Sequence, residues 1–217
     1  MAMFKHLFFD LDGTLLETIE DITIAINEAL EKNGLFHEYS TADVTRFIGD
    51  GADMLVRRAM KEKADDKELF AAVKKEYMPL YKKYQNDHAH PFDGLVDALK
   101  DLKSSGKKLY VVTNKPHALA DFIVKDHFGD LFLRIEGHQE GAPVKPDPYL
   151  VNKVIEEEGI KKEECLYVGD SKVDIETAKN AGMPCCLVTW GYGIYDEKTV
   201  QKADYCIKNP VNLRDFI

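Results

Sequence analysis

The run Lys5-His6-Leu7-Phe8-Phe9-Asp10-Leu11-Asp12-Gly13-Thr14 places two carboxylates where a short apolar segment ends, with a glycine directly behind them. On an extended chain Asp10 and Asp12 share a side. Two neighbouring acids repel each other and neither is buried cheaply. Such a pair either holds a cation or uses a shifted pKa for chemistry. Three further stretches carry groups of matching type. Val111-Val112-Thr113-Asn114-Lys115 offers a hydroxyl and an amide after an apolar run. Val144-Lys145-Pro146-Asp147-Pro148 holds a lysine among prolines, which predict an extended, pre-set loop. Val168-Gly169-Asp170-Ser171 ends another apolar run in an acid, with Asp174 one helical turn beyond.

These groups need elements to position them. Residues 5–9, 109–112, 131–135, 165–168 and 185–189 read as short strands, and 205–207 as a weaker one. Helical segments follow the 109–112, 131–135 and 165–168 runs, the signature of βαβ units in a parallel sheet. Between the first strand and the rest the pattern is helical. Ile19, Ile22, Ile26, Ala29 and Leu30 recur at helical spacing, with Asn33-Gly34 as a stop. Thr41 is the expected cap of a next helix, and residues 52–60 and 69–84 predict two more. The fold expected is α/β: a Rossmann-like parallel sheet core with an inserted all-helical block. The core would span residues 1–15 and 88–217, the insertion 16–87.

In that fold the carboxyl ends of the strands share one rim, where ligands bind. A cluster of Asp oxygens suits a hard cation, Mg2+ above all. Lys145 adds fixed positive charge, and Thr113 and Asn114 add neutral donors for oxyanions. A phosphate meeting bare carboxylates would be repelled by roughly 4 kcal/mol per charge pair at about 4 Å. With the cation and Lys145 the site balances a phosphoryl group, and a free carboxylate can attack it in line.

Composition narrows the partners. At 217 residues, 45% hydrophobic and 31% charged, the chain reads as an ordinary globular protein. A net charge of −9 argues against nucleic acid. No apolar stretch approaches a membrane span and the N-terminus lacks a secretory signal, so the expected compartment is the cytoplasm. Cys165, Cys185, Cys186 and Cys206 form no CxxC pair and are expected as reduced core thiols. Monomer and homodimer both stay open.

FFDLDGT, VVTNK, the lysine of VKPDP and GDSKVD, in this order, resemble the four motifs of the haloacid dehalogenase superfamily. The resemblance covers essentially the whole chain, and the helical block resembles that superfamily's inserted cap. It implies Asp10 as nucleophile, forming an aspartyl-phosphate, and Asp12 as the acid and then base. It implies Mg2+ held by Asp10, Asp170 and the main-chain carbonyl of Asp12, with Asp174 orienting the site from behind. Thr113, Asn114 and Lys145 would grip the phosphoryl oxygens. Asp12 favours a phosphoryl substrate, since dehalogenases usually lack that second aspartate.

Arg46-Phe47-Ile48-Gly49-Asp50-Gly51 resembles the cap loop of phosphoglycolate-phosphatase-like members, which makes 2-phosphoglycolate the leading small phosphorylated metabolite. Arg46 is equally readable as a solvated arginine. Glu17 stands where the family commonly has Asp, and is a candidate substrate contact. Alternatives inside the fold are a pyrophosphatase, a nucleotidase, a sugar-phosphate phosphatase and a β-phosphoglucomutase-like mutase. A non-catalytic phosphate-binding regulator is the alternative outside enzymology. His117 reads as a helix-start residue, residues 77–84 as an ordinary helix face, and Trp190 with Gly191-Tyr192-Gly193 as structural closure beside the rim.

Overall fold

The computed structural model describes residues 4–216, which divide into two compact units. One comprises the chain up to Glu17 together with everything from Pro91 onward; the other is Thr18–His90.

In the first unit β1 (His6–Phe9) is buried along its whole length, and β2 (Leu16–Glu17) follows after a tight turn. The second unit is helical: α1 (Ile19–Lys32), α2 (Thr41–Val44), α3 (Ala52–Ala59) and α4 (Lys67–Tyr84). α1 buries Ile22, Ile26, Ala29 and Leu30, the stripe that its sequence spacing predicts, and α4 lies against it. α2 is capped one residue earlier than expected. Ser40, not Thr41, is the N-cap, because Asp43 three residues on completes a reciprocal capping box.

The chain returns through β3 (His90–Pro91), α5 (Leu95–Ser104), β4 (Lys108–Pro116), α6 (His117–Phe128) and β5 (Arg134–His138). It continues as α7 (Tyr149–Glu158), β6 (Cys165–Gly169), α8 (Lys172–Ala181), β7 (Cys185–Val188), α9 (Glu197–Val200) and β8 (Tyr205–Ile207). Six of these strands form a parallel sheet in the order β5-β4-β1-β6-β7-β8. The chain winds outward from β1 through β4 to β5, then crosses back to β6. That reversal leaves a crevice at the carboxyl ends of β1 and β6. The register makes the ends coincide, since Phe9 lies opposite both Val111 and Val168.

One face of the sheet packs Phe8, Tyr110, Val112, Tyr167 and Leu187 against Leu150, Val151 and Val154 of α7 and Ile175 of α8. The strand expected over residues 131–135 is present but displaced toward the C-terminus. β5 begins at Arg134, because Phe132 is buried in a loop against Phe9 and Phe128 while Leu133 is 56% exposed. The strand instead buries Glu136, held by Arg134 and Lys153. All four cysteines are free thiols; three are buried and Cys206 is exposed, at the outer strand. Among the described residues no helix is long and apolar enough to cross a membrane.

Candidate active site

β1 stops at Phe9, and Asp10 continues the ladder by one bond, its N–H donating to Val168 O at 3.0 Å. The chain then turns: Thr14 and Leu15 donate to Leu11 O, and Gly13 adopts φ 84°. Asp12 lies inside that turn, so strand alternation does not describe the pair. Each acid instead meets its own lysine. Lys115 Nζ donates to Asp12 Oδ1 at 3.1 Å. Lys145 Nζ lies 2.8 Å from Asp10 Oδ1, a contact ion pair. Apart from that contact, this buried oxygen accepts no hydrogen bond.

Lys145 is fully enclosed. Its Nζ also donates to Asp174 Oδ1 at 2.8 Å and to the Tyr167 hydroxyl at 3.1 Å, while Tyr167 donates to Val112 O at 3.0 Å. Two hydrogen bonds and the ion pair with Asp10 thus hold the ammonium in place. Burial alone would lower the Lys145 pKa, but the charges of Asp10 and Asp174 override it and hold the group well above its usual value. The ammonium stays charged. The loop carrying Lys145 is a turn, not the extended segment that its prolines predict. Asn114 shapes it, its Oδ1 accepting from Lys145 N at 2.7 Å and its Nδ2 donating to Lys145 O at 3.1 Å. The Asn114 amide thus holds the lysine's own backbone, a use the sequence does not reveal. Thr113, also buried, accepts from Lys115 N–H through its hydroxyl at 3.3 Å.

β6 delivers Asp170, and Ser171 rather than Asp170 caps α8. Thr14 Oγ1 donates to Asp170 Oδ1 at 3.1 Å, and Tyr192 N–H donates to Oδ2 at 2.7 Å. Asp174 completes the capping box, its Oδ2 accepting from Ser171 N at 3.0 Å and Ser171 Oγ at 2.6 Å. Gly169 makes room for it, since a Cβ there would lie 2.3 Å from Asp174 Cβ and Cγ.

Oxygens of Asp10, Asp170 and Asp174 fall within 4.8 Å of one another, an all-oxygen set able to hold a divalent cation such as Mg2+. Asp174 serves Lys145 and Ser171 with its two oxygens and Asp170 serves Thr14 and Tyr192 with its own, while Asp10 is held by the Lys145 contact. The Asp12 carboxylate is outside this set. Desolvation raises Asp170 to about 8, with the Asp174 and Asp10 charges adding to it. Desolvation also raises Asp10, to about 6, with Lys145 opposing. Buried acids pushed toward neutrality are what a bound cation would return to the ionised form, so the residues fit the ion.

Glu17 is exposed at the end of β2, and Arg46 is exposed in the helical unit. His117 is a structural residue, its ring nitrogen accepting from Gly137 N–H at 3.3 Å. Lys115, Tyr167, Thr14 and the Trp190–Gly193 segment were not singled out as site residues by sequence. Tyr167 sits within an apolar run and signals only core, and Lys115 follows Thr113 and Asn114 with nothing nearby in sequence to name its partner.

The family model described as haloacid dehalogenase-like hydrolase matches residues 7–188. A phosphoglycolate phosphatase from Vibrio vulnificus is 31% identical over 98% of this chain and 96% of its own length. Another, from Aquifex aeolicus, is 32% identical over 96% and 94%. A crystal structure of a predicted phosphoglycolate phosphatase from Haemophilus somnus superposes with a TM-score of 0.90 at 30% identity, covering 99% of this chain and 98% of that one.

Proposed function

The chain belongs to the haloacid dehalogenase-like hydrolases, and from that membership we propose that it is a Mg2+-dependent phosphatase whose substrate is 2-phosphoglycolate. The observation that carries the chemistry is Asp10, a carboxylate at a strand end facing one buried ammonium and two further carboxylates. The substrate assignment is supported by near full-length similarity to curated phosphoglycolate phosphatases.

In this reading Asp10 attacks phosphorus in line, so an oxygen–phosphorus bond forms on its carboxylate while the bond to the leaving oxygen breaks. Asp12 gives that oxygen its proton. Asp12 then takes a proton from the water that attacks the aspartyl-phosphate, releasing inorganic phosphate and restoring Asp10. Lys145 and the Thr113 hydroxyl hold the phosphoryl oxygens, and Asn114 fixes the backbone of Lys145. Mg2+, held by Asp10, Asp170 and the main-chain carbonyl of Asp12, would supply positive charge against the phosphoryl oxygens. Asp174 orients Lys145 from behind. The helical unit serves as the family's cap; Arg46, in that unit, and Glu17, at the end of β2, are the candidate substrate contacts.

The test is phosphate release from a panel of phosphate esters and pyrophosphate, with Mg2+ or EDTA, beside Asp10→Asn and Asp12→Asn. Mg2+-dependent preference for 2-phosphoglycolate, lost in Asp10→Asn, is expected. Asp12→Asn should turn over far more slowly and accumulate phosphoenzyme. Wild-type turnover in Asp10→Asn would remove the mechanism; preference for another ester would remove only the substrate.

A further inference from the structure

Trp190, Gly191, Tyr192 and Gly193 follow β7 and have no part in the chemistry above, yet they pack around Asp170 and the turn that holds Thr14. The Tyr192 main-chain N–H donates to Asp170 Oδ2 while Thr14 donates to Oδ1, so both oxygens are held in direction. Each oxygen keeps a further lone pair. The approach is so close that only glycine fits. A Cβ on Gly191 would stand 2.1 Å from Gly13 O and 2.5 Å from Asp170 Oδ2. One on Gly193 would stand 1.9 Å from Asp170 O. Gly13 obeys the same constraint from the other side, with its Cβ position 2.7 Å from Asp170 Oδ2 and from the Tyr192 ring. Trp190 ties the segment down: its Nε1 donates to Thr14 O at 3.1 Å, and its ring centroid lies 6.4 Å from that of Phe92. The Tyr195 hydroxyl accepts from Gly193 N–H at 3.0 Å and fixes the far end.

Main-chain groups are stiffer donors than side chains, and partners behind a metal ligand set its direction and its affinity. We propose that Trp190–Gly193 is a positioning clamp for Asp170 that sets the affinity of the cation site, and that Trp190 senses its occupancy. The proposal rests on the reading of Asp170 as a cation ligand. Thr14 belongs to the same device, linking the turn after β1 to the indole on one side and to Asp170 on the other. Cation binding that draws on Asp170 pulls on Tyr192 N–H and Thr14 together, and both are joined to Trp190.

Trp190 is the chain's sole tryptophan, so its emission is a direct probe. Mg2+ alone is titrated into the metal-stripped full-length protein, followed by calorimetry and by tryptophan fluorescence. In the wild type the emission change is expected to track calorimetric saturation. Gly191→Ala should weaken Mg2+ binding by about tenfold or more while still melting cooperatively in EDTA. Trp190→Phe keeps a ring against Phe92 but loses the bond to Thr14 O; it should weaken binding by roughly three- to tenfold, and it decides the matter if Gly191→Ala does not fold. Asp170→Asn separates the two readings. If it binds Mg2+ as the wild type does, the cation assignment falls and the clamp with it. If it loses Mg2+ while both clamp variants stay within about twofold of wild type and the emission does not move, the clamp alone is overturned.

Discussion

Lys145 and Asp174 form an ion pair at 2.8 Å with side chains 2% and 0% exposed, and Asp10 lies 2.8 Å from the same ammonium. The single ammonium thus stands against two buried acids, enough to balance one of them in full. Its part in folding and the role proposed for it toward phosphate rest on the same positive charge.

Lys145→Met removes that charge and leaves both carboxylates uncompensated. Breaking a buried pair from one side costs about 3–5 kcal/mol. Urea denaturation in EDTA should show a loss of that order, and Mg2+ should restore part of it by replacing the missing positive charge. Phosphatase activity should be lost with or without Mg2+. An unchanged denaturation midpoint in EDTA would mean that water or a protonated acid already compensates the cluster.

Stability without metal should depend on pH in an unusual direction. Burial raises Asp10 to about 6 and Asp170 to about 8, against about 4 in an unfolded chain. Between those limits the folded state keeps protons that the unfolded chain has released. Stability therefore declines as pH rises through the window, by at most about 1.4 kcal/mol per unit for each group. A cation favours the ionised carboxylates and opposes the decline. The melting temperature in EDTA should fall from pH 5 to pH 8, and the increase given by Mg2+ should be larger at pH 8. A Mg2+ effect that is greater at pH 5 would contradict the assignment of these two acids to the cation.

Lys115 is 1% exposed and holds Asp12, which is 21% exposed. On the reading that Asp12 moves the proton, Lys115→Met removes the ion pair that helps to aim that carboxylate at the leaving oxygen. Misplacing a catalytic group by a fraction of its length costs up to about a hundredfold in rate. Single-turnover phosphoryl transfer should fall most for alkyl phosphates, which need an acid, and least for p-nitrophenyl phosphate, which does not. An equal fall for both would assign Lys115 to the scaffold.

Much of this was legible in the sequence because the fold repeats one local event, an apolar strand ending in a polar residue. Asp10, Asp170, Thr113 and the strands beneath them follow from that pattern. What escaped depends on contacts distant in sequence. Tyr167 occupies a strand position between apolar neighbours and Lys115 stands behind Thr113 and Asn114, and their polar tips matter because Lys145 and Asp12 arrive from other loops. Asn114 carries an oxyanion donor, but nothing in the sequence shows that residue 145 presents its backbone to it. The Leu131-Phe132-Leu133 run misled for a related reason: Phe132 is buried by aromatic contacts in a loop, and the run meets β4 only at its end, where Leu133 N–H donates to Leu109 O.

The helical unit has its own buried acid, Asp21, 0% exposed in the first turns of α1. Its Oδ1 accepts from His88 N–H at 3.0 Å and its Oδ2 from Ala89 N–H at 3.0 Å, fastening the start of the unit to its end. Burial raises its pKa, against the lowering effect of those two donors. Asp21→Ala leaves two N–H groups without this acceptor, at about 1–3 kcal/mol each, whereas Asp21→Asn keeps one oxygen and should lose less. Unlike the loss in Lys145→Met, this one should be equal in EDTA and in Mg2+, because no cation ligand is touched. Urea denaturation of both variants under both conditions checks it. Asp21→Ala within about 0.5 kcal/mol of wild type would mean that water replaces the carboxylate at residues 88 and 89.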